Sequence, residues 1–177
     1  MKTFKEMRFV RTFVAVLMLG LFVGEANAQR PMHEIHSMML YNFMKYVNWP
    51  ASVTSGDFVI GVIGEDDVFG TLTQWYGAKS KGSQKIVIKK FNSPSDISGC
   101  HVLYVGSKSS GDFDAILAAI SGKPTLTVTD RAGLGKKGSC INFKTVGGKL
   151  KFELNQAAVT GANLQVSSQL TGMAILI

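Results

Sequence analysis

Phe58-Val59-Ile60-Gly61-Val62-Ile63-Gly64-Glu65-Asp66-Asp67-Val68-Phe69-Gly70 holds the transition on which the fold turns. Its first six residues carry no charge and are apolar at odd and even positions alike, which reads as a strand covered on both faces. Gly64 supplies a turn, and Asp67 is placed to cap a helix running through Phe69, Leu72 and Trp75-Tyr76. The unit then recurs. Ile86-Val87-Ile88 and His101-Val102-Leu103-Tyr104-Val105 read as two further strands. Phe113, Ile116, Leu117 and Ile120 mark a helix closed by Gly122-Lys123-Pro124, and Leu126-Thr127-Val128-Thr129 is a fourth strand. Strands alternating with helices in this way predict an α/β fold, a mostly parallel sheet with helices on both faces.

On either side of this block the pattern changes. Upstream, Ile35, Met39, Phe43 and Tyr46-Val47 recur at helical spacing and predict a helix from about His33 to Asn48, which Trp49-Pro50 ends. Downstream, Cys140-Ile141-Asn142-Phe143 and Leu150-Lys151-Phe152-Glu153-Leu154 flank Gly147-Gly148, the pattern of an antiparallel hairpin. A short helix near Asn155 to Thr160 and an aliphatic tail follow. No repeat or linker divides residues 29–177, which are expected to form a single domain.

The first 28 residues read differently. Lys2, Lys5, Arg8 and Arg11 form a basic segment, Phe13 to Val23 is an apolar run, and Ala26-Asn27-Ala28 has the small-x-small pattern of a cleavage site. The run spans eleven residues, whereas a membrane-crossing helix needs about 20. A cleavable signal peptide over 1–28 is the expectation, with export of the residues that follow. Without that leader, 15 basic residues stand against 10 acidic ones, a net charge of +5 in place of +7 for the whole chain. The lysines are scattered and form no block interleaved with aromatics, so no nucleic-acid partner is expected.

Most of the chemistry on offer fails on geometry. His33-Glu34-Ile35-His36 sets its histidines three apart, where a zinc-protease helix needs four, and reads as an exposed helix start. Cys100 and His101 are neighbours on a strand and point to opposite faces, so they make no nucleophile–base pair. The glycines of 61–70 match neither a dinucleotide fingerprint nor a phosphate loop, and Glu65, Asp66 and Asp67 would repel a phosphate. No catalytic set, metal site or cofactor is expected. What remains is position. Ligands of open parallel sheets lie beyond the carboxyl ends of the strands, an edge that collects Gly64, Glu65, Asp66 and Asp67, then Gly106-Ser107, then Thr129, Asp130 and Arg131. These suit a small polar ligand or a peptide, and equally suit ordinary capped turns. Tyr46 and Trp49 at the helix end, and Met173 to Ile177 in the tail, are candidates for a partner-binding apolar patch. Two cysteines in an exported protein favour a Cys100–Cys140 bridge, with two buried thiols as the alternative.

Tyr41-Asn42-Phe43-Met44-Lys45-Tyr46-Val47-Asn48-Trp49-Pro50 closely resembles the "YNFAKFVEWP" helix end of the YfiR-like periplasmic proteins. Gly64 to Gly70 and Gly99 to Val105 agree in order, as does the closing stretch from Thr127-Val128-Thr129-Asp130 to Ser167-Ser168-Gln169-Leu170. The resemblance implies a compact non-enzymatic α/β domain, Rossmann-like in layout. It also implies a periplasmic regulator that binds and represses an inner-membrane signalling protein, a diguanylate cyclase of the YfiN type or a sensor kinase, and so lowers cyclic di-GMP and biofilm formation. A periplasmic small-molecule-binding protein is the alternative, and a homodimer is open. Many relatives carry a cysteine where this chain has Gly61, as partner for the one at Cys100, so the family's disulfide scheme does not transfer.

Overall fold

The computed structural model describes residues 30–177, so the expected leader and its cleavage site lie outside the described residues. Helix α1, Met32–Tyr46, runs directly into a two-residue strand β1, Val47–Asn48. Strand β2, Phe58–Ile63, leads to α2, Asp66–Tyr76, and the short strand β3, Ser80–Lys81, turns back into β4, Gln84–Phe91. Strand β5, Val102–Val105, passes through a 3-10 segment, Ser107–Asp112, into α3, Phe113–Ala119. Then come β6, Leu126–Thr129, and the hairpin of β7, Ile141–Val146, and β8, Lys149–Leu154. Helix α4, Gln156–Gly161, strand β9, Gln165–Val166, helix α5, Ser168–Met173, and strand β10, Ile175–Leu176, complete the order.

The main sheet has eight strands in the order β10-β8-β7-β6-β5-β2-β4-β3. Its centre is parallel, β4 to β2 to β5 to β6 to β7. The expected hairpin is antiparallel, with Phe143 opposite Phe152. Gly147 and Gly148 both have positive φ, as the two central residues of a tight hairpin require. The first helix ends two residues earlier than the periodicity predicts because Val47 and Asn48 pair with Val166 and Gln165, a long-range ladder that local pattern does not reveal. Strands β3, β9 and β10 span two residues each and leave no period to read.

The period-two alternation of the central strands divides the interior in two. Phe58, Ile60 and Val62 of β2, with Val102 and Tyr104 of β5, pack beneath α1 and α2 on one face, against Leu40, Phe43, Val68 and Leu72. Val59 and Ile63, with Leu103 and Val105, face the other way onto Phe113, Ile116 and Ile120 around α3. Leu72 and Ile116 are wholly buried, and truncating either to alanine is expected to cost about 2–5 kcal/mol. Gly61 lies on the second face. A Cβ there would come within 2.5 Å of the Phe91 ring and 3.1 Å of Leu103, so the aromatic occupies the room a side chain would need.

Candidate functional site: a polar cleft beyond the strand ends

A cleft of about 510 Å³ opens where α1 approaches the hairpin and the carboxyl ends of β5 and β6. Three side chains on three elements form a chain of contacts at its wall. His36 of α1 is 6% exposed and stacks flat on Phe143, with centroids 4.2 Å apart. Its Nδ1 lies 2.9 Å from the Tyr104 hydroxyl. That hydroxyl donates to Asp130 Oδ2 at 2.8 Å. Because the one phenolic proton goes to Asp130, His36 is assigned as the Nδ1–H donor, which leaves Nε2 an acceptor.

Burial, helped by the charge of His33, holds His36 at about 4, so the ring is neutral at physiological pH. Burial raises the Asp130 carboxyl; the Tyr104 hydrogen bond opposes this and the Glu65 charge adds to it. Burial beside Asp130 also pushes the Tyr104 hydroxyl far up, so it stays protonated. Asp130 Oδ1 is buried without a hydrogen-bond partner, alone in this among the side-chain atoms of the described residues. A buried acceptor left unpaired costs about 1–3 kcal/mol.

A second chain underlies the cleft floor. Thr129, fully buried, has its hydroxyl 2.7 Å from Asn142 Oδ1. Asn142 Nδ2 in turn donates to Glu153 Oε2 at 3.0 Å. Lys144 donates to Glu153 Oε1 at 2.9 Å. The Lys144 hydrogen bond is the main cause that lowers the Glu153 carboxyl from its ordinary value, so it is ionised near neutrality. The cleft therefore offers a neutral imidazole, two carboxylates and an ammonium beside the apolar surfaces of Met32, Phe143 and Leu150. Such a surface can orient a small amphipathic molecule or a protein side chain.

Of the residues expected at the strand ends, Ser107 and Asp130 line the cleft, and Thr129 supports it from below. Arg131 is exposed and donates to Ser110 Oγ at 2.6 Å, tying two loops together. Gly64 and Glu65 stand apart, because the crevice between β2 and β5 is closed. A Cβ on Gly64 would meet Ser109 Oγ at 2.5 Å, and one on Gly106 would meet Glu65 Cβ at 2.6 Å. Asp66 is exposed and pairs with Lys90 at 2.7 Å. Asp67 is exposed as well, and its carbonyl accepts from Thr71 at 2.8 Å. Tyr46 and Trp49 lie elsewhere. Tyr46 packs half-buried against the core. The Trp49 indole donates to the His101 carbonyl at 3.1 Å and meets the Phe58 ring edge-on at 5.0 Å.

Residue order alone did not point to His36, Tyr104, Asn142, Lys144 or Glu153. His36 is corrected from an exposed helix start to a buried ring, since Phe143 and Tyr104 cover it. The legible signal was a tyrosine in an otherwise aliphatic buried strand, because a buried hydroxyl demands a partner. The cysteines also part. Both are free and buried. Cys100 belongs to the α3 face and Cys140 to the α1 face, so the sheet separates them and the favoured bridge does not form. Neighbouring His101 is fully engaged: its Nδ1 accepts from the Val59 N–H at 3.1 Å and its Nε2 lies 2.8 Å from the Val53 carbonyl. Among the described residues no group of His, Cys, Asp and Glu is arranged to hold a metal ion. No helix among them is long and apolar enough to cross a membrane.

Comparison with known proteins agrees with this architecture. A family model described as YfiR/HmsC-like matches residues 33–175. No curated protein sequence is a significant match. Among solved structures, the crystal structure of a conserved domain protein from Vibrio cholerae O1 biovar El Tor strain N16961 is similar, with a TM-score of 0.55 at 11% identity. The alignment covers 81% of this chain and 59% of that one, so the likeness is one of fold and spans about three fifths of the other chain's length.

Proposed function

Since the chain belongs to the YfiR/HmsC-like family, a family of periplasmic regulators, we propose that it acts by binding the periplasmic region of an inner-membrane signalling protein and holding it inactive. That partner is a diguanylate cyclase of the YfiN type, so that the regulator lowers cyclic di-GMP. The family match across 33–175 carries this reading. Deleting the gene is expected to raise cellular cyclic di-GMP several-fold. Affinity purification of the tagged protein from cross-linked membranes is expected to bring the cyclase with it. An unchanged cyclic di-GMP level and no co-purified membrane signalling protein would discard the reading.

A second reading is that the regulator responds to a small ligand. The unpartnered Asp130 Oδ1 beside a 510 Å³ cleft favours it. A ligand bearing a hydrogen-bond donor would be held through the Asp130 carboxylate and the His36 Nε2. A thermal-shift screen of small amines and alcohols against the wild type and Asp130→Asn tests this. Stabilisation of the wild type that the variant loses supports a ligand in the cleft, and equal shifts for both proteins speak against one.

A further inference from the structure

A pocket of about 280 Å³ lies toward the opposite edge of the sheet from the cleft, between the end of α1 and strand β3. Tyr41, Met44, Lys45 and Asn48 form one wall, and Ser80 and Lys81 the other. Three lysines gather around it, each resting on an aromatic ring. Lys45 Nζ lies 5.2 Å above Tyr41, and Lys79 Nζ lies 5.3 Å from Tyr41 and 4.9 Å from Tyr76. Lys81 Nζ lies 5.0 Å from Trp49 and 5.4 Å from Phe58. Tyr41 and Tyr76 are themselves stacked at 4.2 Å. The rings hold the ammonium groups in place by one side, and each ammonium keeps donors directed away from its ring.

Lys45 Nζ donates to the neutral Asn42 Oδ1 at 3.1 Å, and among the described residues none of the three lysines has an ion-pair partner. The ion pairs among those residues engage Lys90, Lys108, Lys137 and Lys144 instead. No Asp or Glu lines the pocket. Burial pulls the Lys81 amine below the ordinary lysine range. Beside the pocket, β3 is the terminal strand and pairs only with β4, Ser80 opposite Lys85 and Lys81 opposite Gln84. Its outer side carries no strand among the described residues. An open edge accepts an extended segment by main-chain hydrogen bonding. Lysines along that edge repel a second copy of itself and favour a segment of opposite charge.

We propose that the β3 edge and its lysine–aromatic pocket receive an acidic extended segment of a partner protein, seating a carboxylate among Lys45, Lys79 and Lys81. An open strand edge has a use for a polypeptide and none for a lipid headgroup, which is why the protein segment is favoured over an anionic membrane surface. The proposal rests on the regulator reading only for which protein carries the segment.

The test uses the purified protein and a fluorescent peptide alternating glutamate and valine, with a glutamine–valine peptide as its uncharged counterpart. The glutamate peptide is expected to bind about tenfold more tightly than the glutamine one at low salt. Lys45→Glu and Lys79→Glu, both at exposed positions, are each expected to weaken it roughly fivefold. The double change Lys149→Glu with Lys151→Glu, at exposed hairpin positions, alters net charge more and is expected to leave binding unchanged. Equal loss in that control, or no preference for glutamate, overturns the proposal. So does retention of the protein on phosphatidylglycerol vesicles through the same lysines without peptide binding. Loss of this surface alongside a cyclic di-GMP rise on gene deletion would leave the regulator reading standing, so the two fail separately.

Discussion

Tyr104 and Asp130 stand at the carboxyl ends of adjacent parallel strands, joined by a 2.8 Å hydrogen bond from the phenol to the carboxylate. His36 reaches the same hydroxyl from the helix above, so one oxygen pins α1 to two strands. In Tyr104→Phe the ring still fills its wholly buried site, while His36 Nδ1 and Asp130 Oδ2 lose their partner. The expected loss is on the order of 2 kcal/mol, or about 6 °C in the thermal midpoint for a domain of this size. An unchanged midpoint would mean that the three groups are not coupled through the hydroxyl.

His36 makes stability depend on pH in a defined window. The unfolded chain protonates this residue near 6.5, while the folded chain resists until about 4. Between those values the unfolded state binds the extra proton, so stability is full above 6.5, drains as pH falls and levels off below 4. The whole effect is roughly 3 kcal/mol. Asp130 acts in the opposite sense: its raised carboxyl favours the folded state in acid and loses that contribution as pH rises. Urea midpoints across this range are expected to show a shallower acid slope in His36→Gln than in the wild type. Parallel slopes would remove the burial argument.

Gly61 is closely packed on the α3 side of the sheet, where Phe91 and Leu103 leave no room for a side chain. Gly61→Ala drives a methyl against Phe91 and is expected to destabilise the protein by about 1–3 kcal/mol. Adding Phe91→Leu relieves the clash, so the double variant is expected to lie closer to wild type than the two single losses sum to. Additive losses in chemical denaturation would show that the ring is not what fills the space.

The cysteines are expected to titrate as two thiols per chain under denaturing, non-reducing conditions, because the sheet lies between them. Burial raises both thiols, Cys100 to about 11, and Cys140 also above its ordinary value. Both should therefore react slowly with alkylating reagents in the native state. Adding a reductant is expected to leave the thermal midpoint where it was; a fall would reveal a bridge.

What the residues announced in order, and what they withheld, follows from the range of the interactions. Strands β2, β5 and β6 are legible because each is a short apolar run bounded by turns, and the Gly147-Gly148 hairpin because its turn chemistry is local. The two-residue strands are not, since Val47 finds Val166 and Ile175 finds Glu153 across long stretches of chain. The strand-end rule pointed to the edge where the cleft opens, and two of the residues it named, Ser107 and Asp130, line that cleft. Gly64 and Glu65 lie outside the cleft, because Gly64 packs against Ser109 and Gly106 against Glu65, contacts that residue order does not reveal. The local pattern around His36 misleads for the same reason: its helical position looks like an exposed terminus until the β7–β8 hairpin folds over it.

The closed crevice has a mechanical consequence. With Gly64 against Ser109, Gly106 against Glu65 and Arg131 bonded to Ser110, the loops after β2, β5 and β6 are fastened together. That side of the Asp130 cleft is an anvil. The opposite side is built from α1 and from a hairpin whose tip, residues 144–149, is exposed throughout. Helix α1 lines that cleft with Met32 and His36, and its last turns line the lysine pocket with Tyr41 and Lys45, so one continuous helix borders both hollows.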